Sequence, residues 1–220
     1  LMGNSYFREL IFPPANGSLV NADEALRMAV TTNKKNMYSR YLIDNNFCST
    51  PLFSQSKEND KLYEKLLGGE LLVEKNKEYL KLKDREEPLS LSAAASSIKE
   101  ISPLFLLLKN RGGQNHAVCL EEPEAHLHPS LQLEVANIIA ISVMKGDIFH
   151  ITTHSDYMLQ RFNQLIKLGE IKKKDENEFN EFYKGKTLKP YLDCQLVKAY
   201  YFHKGENKVI VDDLPINEGG

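Results

Sequence analysis

Five side chains that can do chemistry follow one short apolar run in the stretch HAVCLEEPEAHLHP, residues 116–129. They are Glu121, Glu122, Glu124, His126 and His128. A carboxylate can hold a divalent cation or take a proton from water, and an imidazole can bind a metal or contact a phosphate. The pattern therefore leaves three interpretations: a metal site, a nucleotide-hydrolysing site, or a charged loop after a buried strand.

The residues around this stretch predict a strand, a helix and a second strand. Residues 117–121 (AVCLE) form a short apolar run, typical of a strand buried on both faces of a parallel sheet, and residues 147–153 (DIFHITT) form another. Between them an amphipathic helix is expected from Ser130, with apolar positions Leu131, Val135, Ile138 and Ile139. Because active groups lie beyond the carboxyl ends of such strands, we expect adjacent parallel strands with Glu122 and His154 facing one crevice.

Helices are expected on both sides of this unit. Apolar residues Ile98, Ile101, Leu104, Phe105 and Leu108 recur at helical spacing. Pro103 must kink that helix or lie near a restart capped by Ser102. After the second strand, Ser155 is expected to cap a helix that ends at Gly169. Its apolar face is expected to carry Leu159, Phe162 and Ile166.

The two ends of the chain have weaker patterns. Asn21 or Asp23 could cap a helix, and residues 45–59 are typical of a loop. A short helix ending at Gly68 and Gly69 is followed by strands at 71–73, 79–82 and 89–91, which predict a small β-meander. The charge-rich segment 169–186 is interpreted as a solvated loop or frayed helix. Residues 194–216 predict a β-hairpin.

Composition limits the possible functions. The formal net charge of −2 provides no general attraction to nucleic acid or membrane. Three cysteines, Cys48, Cys119 and Cys194, lie far apart, which argues against a disulfide framework or zinc knuckle and favours a reducing cytoplasm. No apolar run approaches the roughly 18 or more residues of a membrane-spanning helix. The N-terminus lacks the layout of a signal peptide.

The acidic pair resembles the Walker B element of nucleotide triphosphatases, in which one acid holds the Mg²⁺ shell and the next orients and deprotonates the attacking water. The resemblance is closest to the ATP-binding-cassette branch, whose Asp-Glu-Pro run passes into a D-loop ending in Leu-Asp-Pro. In CLEEPEAHLHP, Glu121 and Glu122 stand at the acidic pair, and His128 stands where the D-loop aspartate would be. Both Glu121 and His128 depart from the family's usual residues.

Two further elements extend this resemblance. His154, in ITTHSDYML, resembles the H-loop histidine that contacts the γ-phosphate. Ser96 and Ser97, in LSAAASSIKE, resemble the serines of the signature helix, although the glycines that normally follow are missing. The sequence looks most like ATPases grouped with OLD-type nucleases and RecF- and SMC-like heads, known as AAA-type or AbiEii-like ATPases. The resemblance extends from Tyr6 to Gly220 and is specific from Ala95 to Leu159.

The phosphate-binding P-loop, Gly-x-x-x-x-Gly-Lys-Ser/Thr, is not present in these 220 residues. The resemblance therefore implies the C-terminal lobe of a P-loop ATPase, with an upstream P-loop lobe as partner. The expected fold is α/β, a partly parallel sheet flanked by helices, with a small β-meander and a C-terminal β-hairpin. Residues 1–92 would form a helical segment and the meander, and residues 93–220 the ATPase lobe.

The resemblance also implies roles and partners. The expected cofactors are ATP and Mg²⁺. The implied catalytic residues are Glu122 as base and His154 as γ-phosphate sensor, with Glu121 supporting Mg²⁺ through water and Ser96, Ser97 and His128 binding the nucleotide. The same resemblance implies a homodimer that forms through ATP. It also implies a further partner, which would be DNA, a toxin or a nuclease. The chain alone is expected to be inactive.

Two other interpretations stay open at this stage. One is a metal-dependent hydrolase that uses the Glu/His cluster of residues 121–128, because Glu-x-His-x-His offers oxygen and imidazole ligands at close spacing. Zinc or manganese retained without nucleotide would favour it. The other is a lobe with only a scaffolding role, which would show neither activity.

Overall fold

The computed structural model describes residues 10–11, 60–74, 77–111 and 116–216. The helix expected from Asn21 or Asp23 and the loop of residues 45–59 lie outside these ranges. Within them, no helix is both long enough and apolar enough to cross a lipid bilayer.

The part of the chain that the structure describes contains five α-helices and eight β-strands. The helices are α1 (Asp60–Leu67), α2 (Ser96–Arg111), α3 (Pro129–Met144), α4 (Asp156–Lys174) and α5 (Glu176–Phe182). The strands are β1 (Leu10–Ile11), β2 (Gly69–Glu74), β3 (Lys77–Leu82), β4 (Leu89–Ser90), β5 (Ala117–Glu121), β6 (Ile148–Thr152), β7 (Ala199–Lys204) and β8 (Val209–Leu214). This mixture of parallel and antiparallel sheets flanked by helices confirms the α/β fold class.

A parallel sheet with strand order β1-β5-β6 carries the predicted site. β5 runs parallel to β6, in register from the Ala117–Ile148 pair to the Glu121–Thr152 pair, and β1 lies parallel on the other side of β5. The prediction that the two apolar runs form adjacent parallel strands is therefore confirmed. Their carboxyl ends meet at one edge of the sheet.

The expectation that both strands are buried on both faces is wrong for β6. Val118 of β5 is 1% exposed, whereas Ile148 of β6 is 40% exposed. Along β6, residues 148, 150 and 152 are exposed, and residues 149 and 151 between them are partly buried. β6 is the last strand of this sheet within the described residues. One of its faces therefore packs on the core, and the other is open.

Helix α3 connects β5 to β6 and completes the predicted βαβ unit. It begins with Pro129, whose missing N–H would have no partner at the first helical position in any case. The expected amphipathic pattern is wrong in its second half, where the buried residues are Val135, Ala136, Ile138, Ile139, Ala140, Ile141 and Ser142. The reason is that α3 lies between two apolar cores: Val135 belongs to one and Ala140 to the other.

The main core, which contains Val135, is built around α2. This helix continues through Pro103 without a restart, so the alternative of a cap at Ser102 is wrong. The Ser102 hydroxyl instead donates to the Ile98 carbonyl, at 2.5 Å, within the same helix. Phe105 is fully buried at the centre of this core.

The β-meander packs against the same core. β2, β3 and β4 are antiparallel in that order, which confirms the predicted strands. Gly68 ends α1 with φ of 70°, a conformation that glycine adopts without strain. Tyr63 of α1 packs on Phe105, with ring centroids 5.0 Å apart, and Leu80 of β3 is 1% exposed. The predicted boundary between a first segment, residues 1–92, and an ATPase lobe, residues 93–220, stays a prediction.

The second core, which contains Ala140, joins α3 to α4 and α5. Its buried members include Leu165, Ile166, Phe179 and Tyr183. Of the two interpretations of residues 169–186, a solvated loop or a frayed helix, the loop is wrong: α4 continues to Lys174, and α5 follows it and buries Phe179.

Two expectations for α4 are also wrong. Leu159 is 47% exposed, whereas Met158, which was not expected, is fully buried. Gly169 lies within the helix rather than at its end. A Cβ there would lie 2.0 Å from the Leu192 carbonyl oxygen, so the glycine allows the chain to pass close to the helix.

The predicted hairpin is confirmed as β7 and β8, joined around residues 205–208. The Gly205 amide donates to the Lys208 carbonyl at 2.8 Å and closes the turn. Both strands are mostly exposed, and Phe202 is 67% exposed.

Candidate functional site

The site lies where β5 and β6 end. The final pair of the ladder joins Glu121 to Thr152. One residue later, the Glu122 amide donates to the Thr152 carbonyl at 2.9 Å and approaches the Thr152 hydroxyl at 3.3 Å. These contacts hold the backbone of Glu122 at the carboxyl edge of the sheet.

The structure brings Glu122 and His154 together. Oε1 of Glu122 lies 3.6 Å from Nε2 of His154. Their side chains are 52% and 89% exposed, so the pair faces open space rather than the core. An exposed carboxylate beside an exposed imidazole can order a water molecule and exchange protons with it. Such proton transfer is general acid–base catalysis, which many hydrolases use. The contact itself contributes little stability, because exposed ion pairs contribute only about 0–1 kcal/mol.

Two residues of the turn after β5 have a backbone conformation that is unusual for residues other than glycine. Glu122 has φ of 44° and His126 has φ of 59°. Crowding of Cβ makes this region unfavourable by about 1–2 kcal/mol for each residue. Backbone hydrogen bonds oppose that cost: the Ala125 amide donates to the Glu122 carbonyl at 2.9 Å, and the Leu127 amide donates to the Glu124 carbonyl at 3.0 Å. Strain held in this way is characteristic of functional turns.

Glu124 connects this turn to the loop after β6. Its Oε1 accepts from the Thr153 hydroxyl at 2.7 Å and from the His154 amide at 2.7 Å. Its Oε2 is buried, and no hydrogen-bond partner is found for it among the residues that the structure describes. Hydrogen bonds to a charged acceptor are the stronger ones, contributing about 1.5–3 kcal/mol. One carboxylate therefore fixes the backbone of the histidine that faces Glu122.

Further hydrogen bonds close a ring, here called the Glu124 ring, through Glu124, Thr153, Ser155, Gln132 and Leu127. The Ser155 amide donates to the Thr153 hydroxyl at 3.0 Å, and the Ser155 hydroxyl donates to Gln132 Oε1 at 2.5 Å. Gln132 Nε2 then donates to the Leu127 carbonyl at 2.9 Å. The Ser155 hydroxyl also accepts from the Met158 amide at 3.2 Å, which confirms the predicted cap of α4. The ring thus joins the turn after β5, the first turns of α3 and the start of α4.

Sequence reasoning did not find the Glu124 ring. Glu124 was considered only as a metal ligand, and Thr153 and Gln132 were not singled out. A carboxylate two residues beyond Glu122 and a threonine just before His154 were visible in the sequence. Their pairing could not be inferred, because it depends on the parallel register and on the tight turn between them.

His128 has a local structural contact. Its Nδ1 accepts from the Ser130 amide at 3.3 Å and lies 2.8 Å from the Ser130 hydroxyl, so the imidazole caps α3. This cap explains a histidine before Pro129 without a nucleotide. The predicted role of His128 in nucleotide binding stays a prediction.

Ser96 and Ser97 lie in the first turn of α2. Ser96 is exposed and Ser97 is partly buried. Within the described residues, no hydrogen bond joins either serine to Glu122 or His154. Their expected contact with the nucleotide of an opposite subunit stays a prediction.

The acids and histidines of residues 121–128 are not gathered as a metal site. Among the described residues, the group with three candidate ligand atoms within 4.8 Å of one another is Glu170, Asp193 and Cys194, far along the chain. The Glu122 carboxylate instead faces His154, and the His128 imidazole caps α3 at Ser130. The described geometry therefore gives the metal-dependent hydrolase no support.

The Glu170, Asp193 and Cys194 group already contains a cation. Lys173 Nζ lies 2.7 Å from Asp193 and 3.6 Å from Glu170, and the Cys194 thiol donates to Glu170 at 3.0 Å. The hydrogen bond to Asp193 raises the pKa of Lys173 and the same bond lowers the pKa of Asp193. The hydrogen bond to Glu170 raises the pKa of Cys194. The group is thus a salt-bridged contact between α4 and the segment before β7.

No protein-family model matches this chain, and no curated protein matches it. Among solved structures, it is similar to a chain from work on the structural biochemistry of ATP-driven dimerization and DNA-stimulated activation of SMC ATPases, with 15% identity and a TM-score of 0.43 over 73% of this chain and 83% of the other. It is also similar to a chain from the crystal structure of an SMC head bound to the C-winged helix domain of ScpA, with 13% identity and a TM-score of 0.49 over 95% of this chain and 56% of the other.

Proposed function

We propose that this chain is the C-terminal lobe of an ATP-binding-cassette-like ATPase, which binds and hydrolyses ATP at a dimer interface when joined to a P-loop lobe. One observation carries the proposal: the carboxylate of Glu122 and the imidazole of His154 face each other across 3.6 Å at the carboxyl edge of two parallel strands. Ligand sites of open parallel sheets lie at this edge. The positive φ of Glu122 at the same edge supports the proposal, because strained residues cluster at functional sites.

Glu122 is the proposed general base. Its side chain is half exposed, so it can reach a water molecule, and its backbone is fixed by the Thr152 carbonyl. Such a base must lie within hydrogen-bonding distance of the proton that it takes. His154 would contact the terminal phosphate and keep the attacking water between itself and Glu122.

The residues at the edge fit the two expected cofactors in part. Mg²⁺ prefers carboxylate and water oxygens, and Glu121 is an exposed carboxylate next to the proposed base. When bound, Mg²⁺ and its water shell would supply charge neutralisation for the phosphates. Glu121 would hold that shell, Ser96, Ser97 and His128 would bind nucleotide from an opposite subunit, and His154 would orient the terminal phosphate.

The proposal requires a second lobe, because the sequence contains no P-loop to hold the phosphates. The open edge and open face of β6 are compatible with such a neighbour. Ile148 is 40% exposed on that face, and β6 has only β5 beside it within the described residues. A homodimer and a DNA, toxin or nuclease partner rest on the sequence resemblance alone.

The test measures ATP turnover in a protein that joins this chain to its P-loop lobe. Glu122→Gln keeps the shape of the side chain but removes the base, so turnover should fall by roughly 10²–10⁴-fold while ATP binding persists. Glu181→Gln in α5 is the matched control, since Glu181 is 69% exposed and forms a salt bridge with Lys184 on the surface of the same segment. Wild-type turnover in Glu122→Gln would assign the base to another residue. Equal losses in both variants would indicate a general effect of charge.

A further inference from the structure

We infer that Glu124 is the positioning residue of the site: its carboxylate holds the loop after β6 so that His154 stays against Glu122. The importance of that pair rests on the proposed function. The contacts themselves belong to this chain and can be tested without nucleotide.

The first step concerns what holds His154. Its side chain is 89% exposed, so packing fixes little of it. The position of an exposed side chain is set mainly by its backbone, and the His154 amide donates to Glu124 Oε1 at 2.7 Å. The same oxygen accepts from the Thr153 hydroxyl at 2.7 Å. One oxygen therefore binds two consecutive residues of the loop.

The second step concerns why a glutamate is needed at this position. Residue 124 lies between Glu122 and His126, both at positive φ, in a turn that folds its side chain back towards β6. A charged acceptor binds amides and hydroxyls about twice as strongly as a neutral one. Aspartate would be shorter by one carbon–carbon bond, roughly 1.5 Å, and could not reach both donors without a shift of the turn.

The third step separates positioning from direct catalysis. Glu124 Oε1 is engaged by both loop donors, and Oε2 is buried. A buried oxygen is poorly placed to hold a hydrated cation or to take a proton from water in the crevice. Glu124 thus acts through His154, and the Glu124 ring transmits the same restraint to α3 through Gln132 and to α4 through Ser155.

The experiment uses the 220-residue chain labelled with ¹⁵N and measures amide hydrogen exchange by NMR. In Glu124→Ala, exchange at the His154 amide should accelerate by roughly 10- to 100-fold, the loss expected for a hydrogen bond to a charged acceptor. Thr153→Val should leave His154 protected, because the direct bond to Glu124 remains. Glu121→Ala removes a charge from the same strand end and controls for electrostatic effects on exchange. The Val135 amide, in the main core, reports on global opening.

A second measurement reads the imidazole itself. In the otherwise unchanged chain, Glu122→Gln should shift the ring proton resonance of His154, since the two groups are in contact. In a Glu124→Ala background the same change should have little effect on that resonance, because the loop no longer holds the ring against residue 122. A Glu124 that only stabilised the fold would leave this response intact.

The outcomes are decisive without any activity. Unchanged His154 exchange in Glu124→Ala would overturn the inference, as would equal acceleration at His154 and Val135. If Glu124→Ala does not fold, Glu124→Gln decides: we expect a several-fold acceleration confined to the loop, and none would refute the positioning role. Failure of the proposed ATPase function would leave these exchange rates as expected, so the two failures can be distinguished.

Discussion

Replacing Glu122 by glycine should change the stability of the chain little, although it removes the proposed catalytic base. Glu122 has φ of 44°, which disfavours a side chain with a Cβ by about 1–2 kcal/mol. Glycine removes that cost but gains freedom in the unfolded state, worth about 0.5–1 kcal/mol. The surface contact with His154 adds at most about 1 kcal/mol to the loss. The free energy of unfolding should therefore change by an amount between a loss of roughly 1 kcal/mol and a gain of roughly 1.5 kcal/mol.

Glu121→Gly provides the matched control. Glu121 is the neighbouring residue, also exposed, and it is not among the residues at positive φ. Glycine there should destabilise by about 0.5–1 kcal/mol, with no strain to relieve. Once the loss of the His154 contact, measured in Glu122→Gln, is subtracted, we expect Glu122→Gly to be more stable than Glu121→Gly by about 1–2 kcal/mol.

Urea denaturation of both variants measures this difference. The midpoints should differ at an unchanged slope, since neither substitution alters the surface exposed on unfolding. Glu122→Gln, which keeps the strain and loses the charge, separates the two contributions. Equal destabilisation of the two glycine variants, after the effect of Glu122→Gln is subtracted, would refute the argument that the turn stores backbone strain at Glu122.

Three further predictions concern the chain as it stands. Millimolar Mg-ATP should leave its melting temperature unchanged within about a degree, whereas a ligand at a hundredfold excess over its Kd would add about 2.7 kcal/mol; a clear shift in a thermal melt would reveal a phosphate cradle that the sequence does not show. Asp147→Ala should destabilise by about 2–4 kcal/mol in urea titrations, because the buried Ser142 hydroxyl (2.5 Å) and His116 amide (3.0 Å) both lose an acceptor; a change below about 0.5 kcal/mol would show that water replaces it. Since its hydrogen bond to Glu170 raises the pKa of Cys194, iodoacetamide at pH 7 should alkylate this thiol more slowly than free cysteine, and Glu170→Gln should accelerate the reaction; labelling followed by mass spectrometry decides.

Local signals predicted the elements that carry the site. The two apolar runs ending in Glu121 and Thr152 specify strands, and their parallel pairing follows from the helix between them. The Ser155 cap and the glycine at the end of α1 were recognised from residue type alone. These features depend on neighbours in sequence, which is why sequence patterns contain them.

Features that depend on distant contacts could not be predicted. Gly169 looked like a helix end, but it lies inside α4. Its lack of a Cβ leaves room for the Leu192 carbonyl, a contact that sequence neighbours do not indicate. The charged segment after it looked solvated, but Phe179 finds a core that only the packing of α3, α4 and α5 creates. The role of Glu124 could not be predicted for the same reason, because its two hydrogen-bond donors, Thr153 and His154, follow a different strand.

The most direct measurement of the central claim is a crystal structure of the joined protein with Mg-ATP and Glu122→Gln. Our account predicts His154 Nε2 within about 3 Å of a terminal phosphate oxygen, the usual range for such a hydrogen bond, with residue 122 facing the water opposite the leaving group. A terminal phosphate bound away from both residues, with the nucleotide otherwise ordered, would contradict the assignment of this edge as the hydrolytic site.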